Sequence, residues 1–401
     1  MNILIITQVY FPDTVSVSQH LTDLAESLVD SGHSVTVATS RYAYDNKDTF
    51  PKISFHNGVK ITRVKHTNFG KKKFLLRALN FLTCNISIFV KALFYREKID
   101  LVFSTTSPPF LGFFGLVLSK IKKVPFYFWV MDLQPELAIS SGLIKENSIT
   151  AFFSRIIGNL IIKKSDKLFS IDRFMTNYLV NRGACHKKIV QAPVWPVSMG
   201  YFDGEKYANP FRIQNKYNNR IVVMYSGNHS YVHPLDTLLE AARVLKDDDR
   251  FLFAFVGGGV RTADVSNFKN QHKLKNIIQH PFQPRETFHI SIAASDIQVV
   301  VLGDGQIGYT HPNKIYGAMF LGRPFLYIGP RPSHIEDIYS KTENNISVRH
   351  GEVYELVYKL KHFANMSEKE IFKIGENNRY FALKTFNPEC LIDNIVGHFE
   401  K

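Results

Sequence analysis

The chain has 401 residues, of which 45% are hydrophobic and 21% charged, a profile that excludes a disordered or fibrous chain. The length predicts two domains. The formal net charge of +14 favours anionic partners: nucleic acid, phosphorylated ligands or an anionic membrane surface.

The cysteines and the N-terminus exclude several other classes. Cys84, Cys185 and Cys390 lie far apart, which excludes metal or redox spacings and fits a reducing cytoplasm. The N-terminal stretch MNILIITQVYFPD is typical of a first β-strand and lacks the pattern of a signal peptide. No window holds eighteen consecutive apolar residues, so we expect no clear spanning helix.

Short apolar runs alternate with helical patterns along the first half. In chain order we predict strand NILIIT, helix SQHLTDLAESLVDSGHS, strands VTVATS and VKITRVKH, a long helix, strand IDLVFSTT, helix LGFFGLVLSKIKK, strand VPFYFWV, helix ITAFFSRIIGNLIIKKS, strand KLFSI, helix RFMTNYLVNRGA and strand KIVQAPV. Strands rich in Val, Ile and Phe that are separated by helices indicate a parallel sheet buried on both faces.

The long helical pattern, residues 71–98, carries a narrow polar stripe and has basic clusters at both ends. The stripe residues are Arg77, Asn80, Cys84, Ser87 and Lys91. Such a helix either lies against a membrane and receives a lipid-linked acceptor or packs as a core helix on the sheet. We favour a core position for most of its length, with Lys71–Lys73 and the exposed part contacting lipid.

The alternation breaks between Trp195 and Asn219, which we interpret as an interdomain crossover. It then restarts with strand RIVVMYSG, helix PLDTLLEAARVLKDD, strands RFLFAFVG and KNIIQHPFQ, helix RETFHISIAASD, strand IQVVVLG, a helix beginning at Asn313 or Lys314, strand PFLYIG and a helical tail. Ligands bind beyond the carboxyl ends of parallel strands, so two such halves predict a ligand cleft between their strand ends.

Glycines follow two strands of the second half. Gly227 comes after a strand that ends at Tyr225, and the next helix is expected to begin near Pro234. Gly257–Gly259 follow another strand, with Arg261 just after. Such glycines let a phosphate approach the backbone, although ordinary strand-to-helix turns contain them as well.

The stretch GYTHPNKIYGAMFLGRP places Lys314 in the first turn of a helix. The helix dipole disfavours a cation there, so an anion such as a diphosphate is expected beside it. A surface lysine that extends into solvent is the alternative.

In the first half, WVMDLQPELAISSG places Asp132 and Glu136 at a strand end. Asp132 either contacts a ligand or caps the next helix, and for Glu136 a structural role is favoured. The histidines are scattered, and KDDDR at 246–250 is typical of solvated acids, so no metal site is expected.

Several motifs together resemble the retaining family 4 glycosyltransferases, in the branch that assembles bacterial O-antigen, capsule and exopolysaccharide. They are DLQPELAISSG, KLFSIDRFMTNYLVNRGACHKKIVQAPVWP, YSGNHSYVHPLDTLLEAA, FAFVGGG, AASDIQVVVL and HPNKIYGAMFLGRP. The resemblance implies the α/β GT-B fold, in which two Rossmann-like, doubly wound parallel-sheet domains face a central cleft. Residues 1–197 would form the acceptor-side domain and 198–385 the nucleotide-sugar domain, with the helix at 386–401 returning to the first.

The resemblance also implies site residues. The catalytic residues would be Asp132 and Lys314. The donor-binding residues would be Gly227, Asn228, Gly258, Arg261, Phe282, His311, Asn313, Tyr316 and Gly317, and the acceptor-binding residues Ser16, Gln19 and Glu136.

This chain departs from the family at several of those places. The two glutamates that most members carry, the second of which binds ribose, are Tyr309 and Gly317 here. The arginine and lysine that grip the diphosphate are replaced by His229 and His233, and Met131 stands where members have a histidine. Lys314 would therefore carry more of the positive charge, with help from Arg261 and from helix N-termini.

We expect a retaining hexosyltransferase that moves a sugar from a nucleotide-diphosphate donor to an undecaprenyl-diphosphate-linked glycan. The expected donor is a UDP-sugar. The enzyme would work in the cytoplasm, peripherally on the anionic inner face of the membrane, without metal or other cofactor. Nucleic acid is not an expected partner, because the aromatic residues fall within strand and helix patterns. The alternatives are a non-catalytic sugar-nucleotide- or lipid-binding subunit and a GT-B sugar-nucleotide 2-epimerase.

Overall fold

The structure, a computed structural model, describes residues 1–44, 48–70, 74–196, 200, 202, 204 and 206–399, without the side chains of Phe74 and Arg285. These residues form two units. Unit 1 comprises Met1–Val194, Gly308–His311 and Pro388–Lys401, and unit 2 comprises Trp195–Ile307 and Pro312–Asn387. The division lies between residues 194 and 195, close to the expected 197/198. The placement of Gly308–His311 within unit 1 had not been expected.

In the described residues, unit 1 is built on an eight-stranded sheet in the order β3-β4-β2-β1-β5-β6-β7-β8. Its strands are β1 Asn2–Ile6, β2 Ser34–Ser40, β3 Ile53–His56, β4 Val59–Val64, β5 Leu101–Thr105, β6 Phe126–Val130, β7 Lys167–Ser170 and β8 Ile189–Gln191. All neighbours pair in parallel except β3 and β4, which form an antiparallel hairpin. The hairpin turns at Asn57 and Gly58, both at positive φ, as an Asn-Gly turn requires.

Helices connect these strands on both faces of the sheet. They are α1 Ser16–Asp30, α2 Phe74–Leu93, α3 Leu111–Lys122, α4 Glu136–Ser140, α5 Ile149–Lys164 and α6 Arg173–Asn181, followed by a 3-10 turn at His186–Lys188. α1 runs from β1 to β2, whereas α2, α3 and α5 precede β5, β6 and β7 on the other side of β1. Parallel crossovers are right-handed, so α2, α3 and α5 share the face of the sheet opposite to α1.

Unit 2 is built, in its described residues, on a six-stranded parallel sheet in the order β11-β10-β9-β12-β13-β14. Its strands are β9 Ile221–Asn228, β10 Phe251–Gly258, β11 Ile277–His280, β12 Ile297–Val301, β13 Phe325–Ile328 and β14 Ile346–Val348. Its helices are α7 Pro210–Gln214, α8 Asp236–Val244, α9 Thr262–Gln271, α10 Arg285–Ala293, α11 Lys314–Phe320, α12 His334–Tyr339, α13 Val353–Ala364 and α14 Glu368–Thr385, after a 3-10 turn at Lys206–Ala208. The last helix, α15 Pro388–Val396, belongs to unit 1 and packs on α1.

The strands of unit 2 are buried on both faces, as their near-continuous apolar runs predicted. Phe251, Phe253 and Phe255 of β10 enter one apolar cluster. The alternate residues Leu252 and Ala254 enter another. Each large side chain buried in this way contributes about 1.5–3 kcal/mol, so burial on both faces stabilises β10.

Each sheet has a point where the order of its strands reverses. If the strands of unit 2 are numbered from 1 in chain order, their order in the sheet is 3-2-1-4-5-6. In unit 1, with the hairpin strand β3 left out, β4-β2-β1-β5-β6-β7 follow the same order. The helices after β9 and after β12 leave to opposite faces, which opens a crevice at the carboxyl ends of these neighbouring strands. Doubly wound sheets bind their ligands at this position.

α2 packs on the sheet, as predicted, but only one of its sides is buried. Its polar stripe faces the protein: Asn80 and Cys84 are buried, and Asn80 Nδ2 donates to the Gly70 carbonyl at 3.2 Å. Ile88 and Ala92 share the buried side, whereas a row of apolar residues faces outward: Leu75, Leu79, Leu82, Ile86 and Val90. Lys71–Lys73, expected to touch lipid, lie outside the described residues.

Among the described residues, Leu75–Leu93 forms a helix that is long and apolar enough to cross a membrane by length and composition, with mean hydropathy 1.3. Those two criteria do not separate a spanning helix from one that lies on a surface. Asn85 Nδ2 donates to the Pro109 carbonyl at 2.9 Å, and α2 packs on β2 and β4. These contacts hold the inner face of α2 against unit 1.

Candidate functional site

The loops after β9 and β12 meet in unit 2 at the crevice described above. Gly227 lies at the end of β9 with φ +138°, a conformation that favours glycine. A Cβ added there would lie 3.1 Å from Lys314 Nζ. The structure thus brings together Gly227, which was predicted to bind the donor, and Lys314, which was predicted to be catalytic.

Lys314 turns its ammonium group inward, so it is not the solvent-extended surface lysine of the alternative interpretation. Nζ lies 3.8 Å from the centre of the Tyr225 ring, a cation–π contact. It is buried, and no described residue accepts a hydrogen bond from it. Removal from water lowers the pKa of Lys314 to about 7, because no counter-charge compensates for the lost hydration.

Two histidines stand beside this ammonium group. Burial and the neighbouring Lys314 charge lower the pKa of His229 to about 4. The same two causes lower the pKa of His233 to about 3. Both rings are therefore neutral at pH 7, and each has one N–H donor. The His233 ring also hydrogen bonds to the backbone of Val301 and Val232.

The end of β9, the loop after it and the start of α11 carry further buried hydrogen-bonding atoms for which no described residue is a partner. Buried atoms for which no described residue supplies a hydrogen bond include Ser226 Oγ, both ring nitrogens of His229, Ser230 Oγ, His233 Nδ1 and Lys314 Nζ. We call these five residues the donor cluster, because a hydroxyl, a neutral imidazole and an ammonium can all donate. Leaving such groups unsatisfied costs about 1–3 kcal/mol each, which an anion bound among them would recover.

The glycine loop after β10 packs against the loop after β9. Gly257 has φ +129°, and a Cβ there would collide with the carbonyl oxygen of Gly227. Tyr225 Oη donates to the carbonyl of Asn228 at 2.7 Å. A Cβ on Gly258 would lie 3.2 Å from the Phe282 ring, and that ring is 57% exposed. Gly258 and Phe282, both predicted donor-binding residues, are therefore neighbours.

Arg261 is held by acidic neighbours. Its Nε donates to Asp264 at 2.6 Å, and its guanidinium also lies 3.5 Å from Asp236. Two carboxylates thus offset the charge that was expected to meet a phosphate. Asp236 begins α8, two residues later than the expected start at Pro234.

α11 begins at Lys314 and follows Asn313, which confirms the predicted start of this helix. Tyr316 and Gly317 are buried in it. The Tyr316 hydroxyl lies 3.2 Å from His334 Nε2, and its ring contacts Phe386 at 4.6 Å. The Tyr316 side chain is therefore part of the interior of unit 2 and does not join the donor cluster.

In unit 1, Asp132 follows β6 at the carboxyl edge of the sheet. Its Oδ1 accepts a hydrogen bond from Thr310 Oγ1 at 2.6 Å, and its backbone N–H donates to Thr106 Oγ1 at 3.2 Å. Burial raises the pKa of the Asp132 carboxyl, and the Thr310 hydrogen bond and His311 oppose that rise. The cap residue of α4 is Pro135, without a side-chain cap bond, so Asp132 does not cap that helix.

Glu136 is buried within a network of unit 1. Its Oε1 lies 3.5 Å from Arg155 and 3.4 Å from Arg182, and Tyr178 also hydrogen bonds to it. Two cations and a hydroxyl fit the structural role favoured for Glu136. Its predicted contact with an acceptor stays a prediction.

The other predicted residues of unit 1 lie at the same edge or have partners of their own. His311 Nδ1 lies 2.9 Å from Asp172 Oδ2, and Asp172 also caps α6. Ser16 begins α1 after β1, and Gln19 Nε2 donates to the Thr14 carbonyl at 2.5 Å. Ser16, Gln19 and Asp132 thus all follow strands at the carboxyl edge of this sheet.

Comparison with known proteins shows which proteins the chain resembles. Residues 17–195 match the model of the glycosyl transferase 4-like domain. WbjE of Pseudomonas aeruginosa, named a probable glycosyltransferase, is 23% identical over 278 residues, 69% of each chain. WcaI of Escherichia coli (strain K12), assigned as a colanic acid biosynthesis glycosyl transferase, is 22% identical over 339 residues, 80% of this chain and 82% of the relative. The chain is thus similar to family 4 glycosyltransferases over residues 17–195, and both relatives are glycosyltransferases by name.

The fold of this glycosyltransferase agrees with that of solved structures. HepE of Anabaena, solved in complex with UDP and glucose, superposes with a TM-score of 0.75 at 13% identity, covering 100% of this chain and 99% of HepE. The glycosyltransferase has the GT-B fold, with two parallel-sheet units.

The glycosyltransferase lacks a carboxylate at both family glutamate positions. The Tyr309 ring packs edge-on against Tyr178 at 5.2 Å, and its carbonyl accepts the Leu133 N–H at 2.8 Å. Gly317 leaves no side chain to meet a ribose. Within the described parts of the chain, no group of three His, Cys, Asp or Glu side chains could hold a metal ion.

Some cluster residues were not singled out in the sequence. Ser226 appeared only within the predicted strand RIVVMYSG, and Ser230 and Thr310 were not considered. The run SGNHS offered a signal, since hydroxyl and imidazole donors directly follow a strand. Tyr225 gave no such signal in the sequence, because an aromatic residue inside a strand is normally interpreted as a core residue.

Proposed function

We propose that the glycosyltransferase takes its sugar from a nucleotide diphosphate, by expectation a UDP-sugar, whose diphosphate binds in the donor cluster. The observation that carries this proposal is the chemistry of the cluster. Lys314 Nζ lies beside Gly227, and Ser226, His229, Ser230 and His233, in or just after β9, each carry a buried polar atom for which no described residue is a partner. None of the five bears a carboxylate. Such a set suits an anion with several acceptor oxygens. HepE, which shares the fold, was solved with UDP.

In the proposed reaction, the bond from the sugar C1 to the diphosphate oxygen breaks, and a bond from C1 to an acceptor hydroxyl oxygen forms on the same face. The anomeric configuration is thereby retained. The acceptor proton passes to the leaving phosphate oxygen, and negative charge grows on the diphosphate as the first bond breaks. Lys314 gains its proton as the anion binds and stabilises that charge, an effect of about 3 kcal/mol for one preorganised donor.

We propose that the donor cluster, rather than a bound metal ion, neutralises the leaving group. Divalent magnesium prefers carboxylate and other oxygen ligands, whereas the cluster offers an ammonium and two neutral imidazoles. We expect EDTA to leave turnover unchanged. A turnover lost in EDTA and restored by added magnesium would contradict this part of the proposal.

The acceptor that we propose is an undecaprenyl-diphosphate-linked glycan of a bacterial surface polysaccharide. The assignment of WcaI to colanic acid biosynthesis supports this class. We propose that Ser16, Gln19 and Asp132, at the carboxyl edge of the unit 1 sheet, bind the acceptor and the reacting sugar. We expect the transferred sugar to be a hexose.

The experiment that tests the proposed function measures release of nucleoside diphosphate from a panel of nucleotide sugars, with and without a lipid extract as acceptor source. We expect UDP release that depends on the extract, and a loss of about 100-fold in Lys314→Ala. The control Lys359→Ala removes a partly exposed lysine of the same unit, whose Nζ bonds to the Ser347 carbonyl, and should keep full turnover. Release that is equal in Lys314→Ala and wild type would remove Lys314 from the mechanism.

A non-catalytic sugar-nucleotide-binding subunit is the second candidate, favoured by Tyr309 and Gly317 in place of the family glutamates. Such a protein would bind UDP-sugar without releasing UDP in any acceptor extract. A 2-epimerase, by contrast, would isomerise the donor without acceptor. Product analysis in the same assay therefore distinguishes all three.

A further inference from the structure

The outer surface of unit 1 carries an unusual apolar pattern over the helices α2, α3 and α5. Helices that cover a sheet normally place polar side chains outward. Here large apolar side chains face outward along two helices at helical spacing. Those exposed on or beside these helices are Leu75, Leu79, Leu82, Ile86, Val90, Phe94, Ile121, Ile149, Phe152, Phe153, Ile156 and Leu160.

The exposure is extensive rather than marginal. Leu75 is 79% exposed, Phe94 74%, Ile149 77% and Phe152 62%. The outward residues of α5 recur at intervals of three or four, which places them on one side of that helix. Contiguous apolar surface on this scale marks a surface that another partner covers.

The three helices form one layer. α2 packs on α3 and α3 packs on α5, and the rings of Phe89 in α2 and Phe114 in α3 lie 5.6 Å apart. All three belong to right-handed crossovers on the same face of the sheet. Their outward sides therefore form a single surface, which we call the α2–α5 face.

Charge indicates what covers the α2–α5 face. The sequences of α2, α3 and α5 contain no Asp or Glu. Basic residues stand in the last turn of each helix, and they are Lys91, Lys120, Lys122, Lys163 and Lys164. The helices run in the same direction, so these lysines line one edge of the apolar surface. Apolar side chains bordered by cations match the interior and the headgroups of an anionic bilayer.

We infer that the α2–α5 face lies on an anionic lipid bilayer, with the outward side chains of α2 and α5 inserted below the headgroups and the lysine edge in contact with them. The inverted polarity of α2 follows from this placement: its amides bond to the loops of unit 1, and its leucines face lipid. The inference rests on exposure and charge. It places the proposed lipid-linked acceptor beside unit 1, and that last step rests on the proposed function.

The first test is co-sedimentation of the full chain with vesicles, without nucleotide. We expect binding to vesicles of phosphatidylglycerol and phosphatidylcholine to exceed binding to phosphatidylcholine alone. Phe152→Ser with Phe153→Ser, and separately Leu82→Ser with Ile86→Ser, should each weaken binding by about tenfold or more. The matched control Tyr354→Ser with Tyr358→Ser changes two exposed aromatic residues of α13 in unit 2 and should bind as wild type does.

The lysine edge has its own matched pair. Lys163→Ala with Lys164→Ala should weaken binding to anionic vesicles by roughly fivefold per lysine at low salt. The control Lys273→Ala with Lys275→Ala removes two exposed lysines of unit 2 and should have no effect. Equal binding of wild type to both kinds of vesicle would overturn the assignment of an anionic bilayer.

Tryptophan fluorescence can measure insertion into the bilayer. The native Trp129 and Trp195 are both buried, so their emission should not change when vesicles are added. Phe152→Trp should shift its emission to the blue on addition of anionic vesicles, and the control Tyr354→Trp should not. Serine variants that sediment like wild type would overturn the inference. So would a wild-type dimer in light scattering that the serine variants dissociate, because a second copy would then cover the face.

Failure here is separable from failure of the proposed function. Circular dichroism and UDP-induced thermal shifts check that each variant is folded and binds donor. Loss of vesicle binding with an unchanged UDP-induced change in Tm supports the inference. A wild type that binds vesicles without any UDP-induced change in Tm would keep the inference and remove the proposed donor.

Discussion

Lys314 is the residue on which the proposed donor site depends, and its protonation state is expected to differ between the empty and the occupied site. Its ammonium group is buried against Tyr225 with a pKa near 7, so the empty protein holds a cation at a cost. Lowering a pKa by one corresponds to about 1.4 kcal/mol against the charged form. A bound diphosphate would offset that cost. Lys314 is therefore expected to lower the stability of the empty protein and to raise its affinity for the diphosphate.

Lys314→Met should therefore stabilise the empty protein and weaken the donor site. We expect the free energy of unfolding near pH 7 to rise by on the order of 2 kcal/mol, because a desolvated cation is removed. UDP affinity should fall at least about tenfold. Urea unfolding and calorimetric titration measure the two effects. Lys359→Met serves as the control and should lose a little stability, and a destabilised Lys314→Met with wild-type UDP affinity would contradict the site.

Asp132 is predicted to act on turnover rather than on donor binding. Asp132→Asn keeps an acceptor for the Thr310 hydroxyl and removes the charge, so the fold should remain intact. We expect kcat to fall by about tenfold or more while the Kd for UDP stays unchanged. Thr310→Val is the companion variant, since it leaves the carboxylate and removes its hydrogen bond. An unchanged kcat in Asp132→Asn would assign the residue a structural role only.

At the scale of elements, the two glycine loops are fitted to each other. Gly257→Ala would place a Cβ against the Gly227 carbonyl at a positive φ, so both loops must shift. We expect a loss of about 1–3 kcal/mol in the free energy of unfolding together with a loss of UDP affinity. Gly305→Ala, at φ +76° with open space around it, should cost about 1 kcal/mol and keep UDP affinity. Denaturant unfolding that ranks the two variants equally would argue against this packing.

The alternation of apolar runs and helical patterns predicted most strands, because strands buried on both faces leave a strong local signal. The start of α11 was predicted from a different signal, the polar loop and Pro312 that precede the helix. β3 was missed, although Asn57-Gly58 marks a hairpin. The outward direction of α2 could not be predicted, because periodicity separates the two sides of a helix without showing which one meets the sheet.

The donor cluster was predictable only in part. Lys314 was found because the helix dipole disfavours a cation in the first turn of a helix. Gly227 was found because a glycine directly after a strand lets a ligand approach the backbone. The depressed pKa values of Lys314, His229 and His233 depend on burial by β10 and β12, which lie far away in the chain. The pairing of Arg261 with Asp236 likewise needed the structure.

At the scale of the whole molecule, the buried histidines couple stability to pH. His229 and His233 have native pKa values near 4 and 3, below the ordinary value of about 6.5. Below that value the unfolded chain takes up protons that the native protein does not. The free energy of unfolding therefore falls as the pH drops, by up to about 1.4 kcal/mol per pH unit for each histidine.

The double variant His229→Phe, His233→Phe should flatten this dependence. Its urea midpoint is expected to change less than that of wild type between about pH 6.5 and pH 5. His186→Phe, a substitution in unit 1, is the control and should follow wild type. A double variant with the same slope as wild type would show that the two rings are not held neutral by burial.

The most direct test of the central claim, that a diphosphate binds against Lys314, is the number of protons taken up when UDP binds. Titration calorimetry at about pH 8 in buffers of different ionisation enthalpy measures it. In the empty site Lys314 is mostly neutral at that pH, and the anion should restore its charge, so the account predicts uptake approaching one proton per UDP. Lys314→Met, where it still binds, should take up none. Binding of UDP by wild type without proton uptake, or with the same uptake in Lys314→Met, would contradict the account.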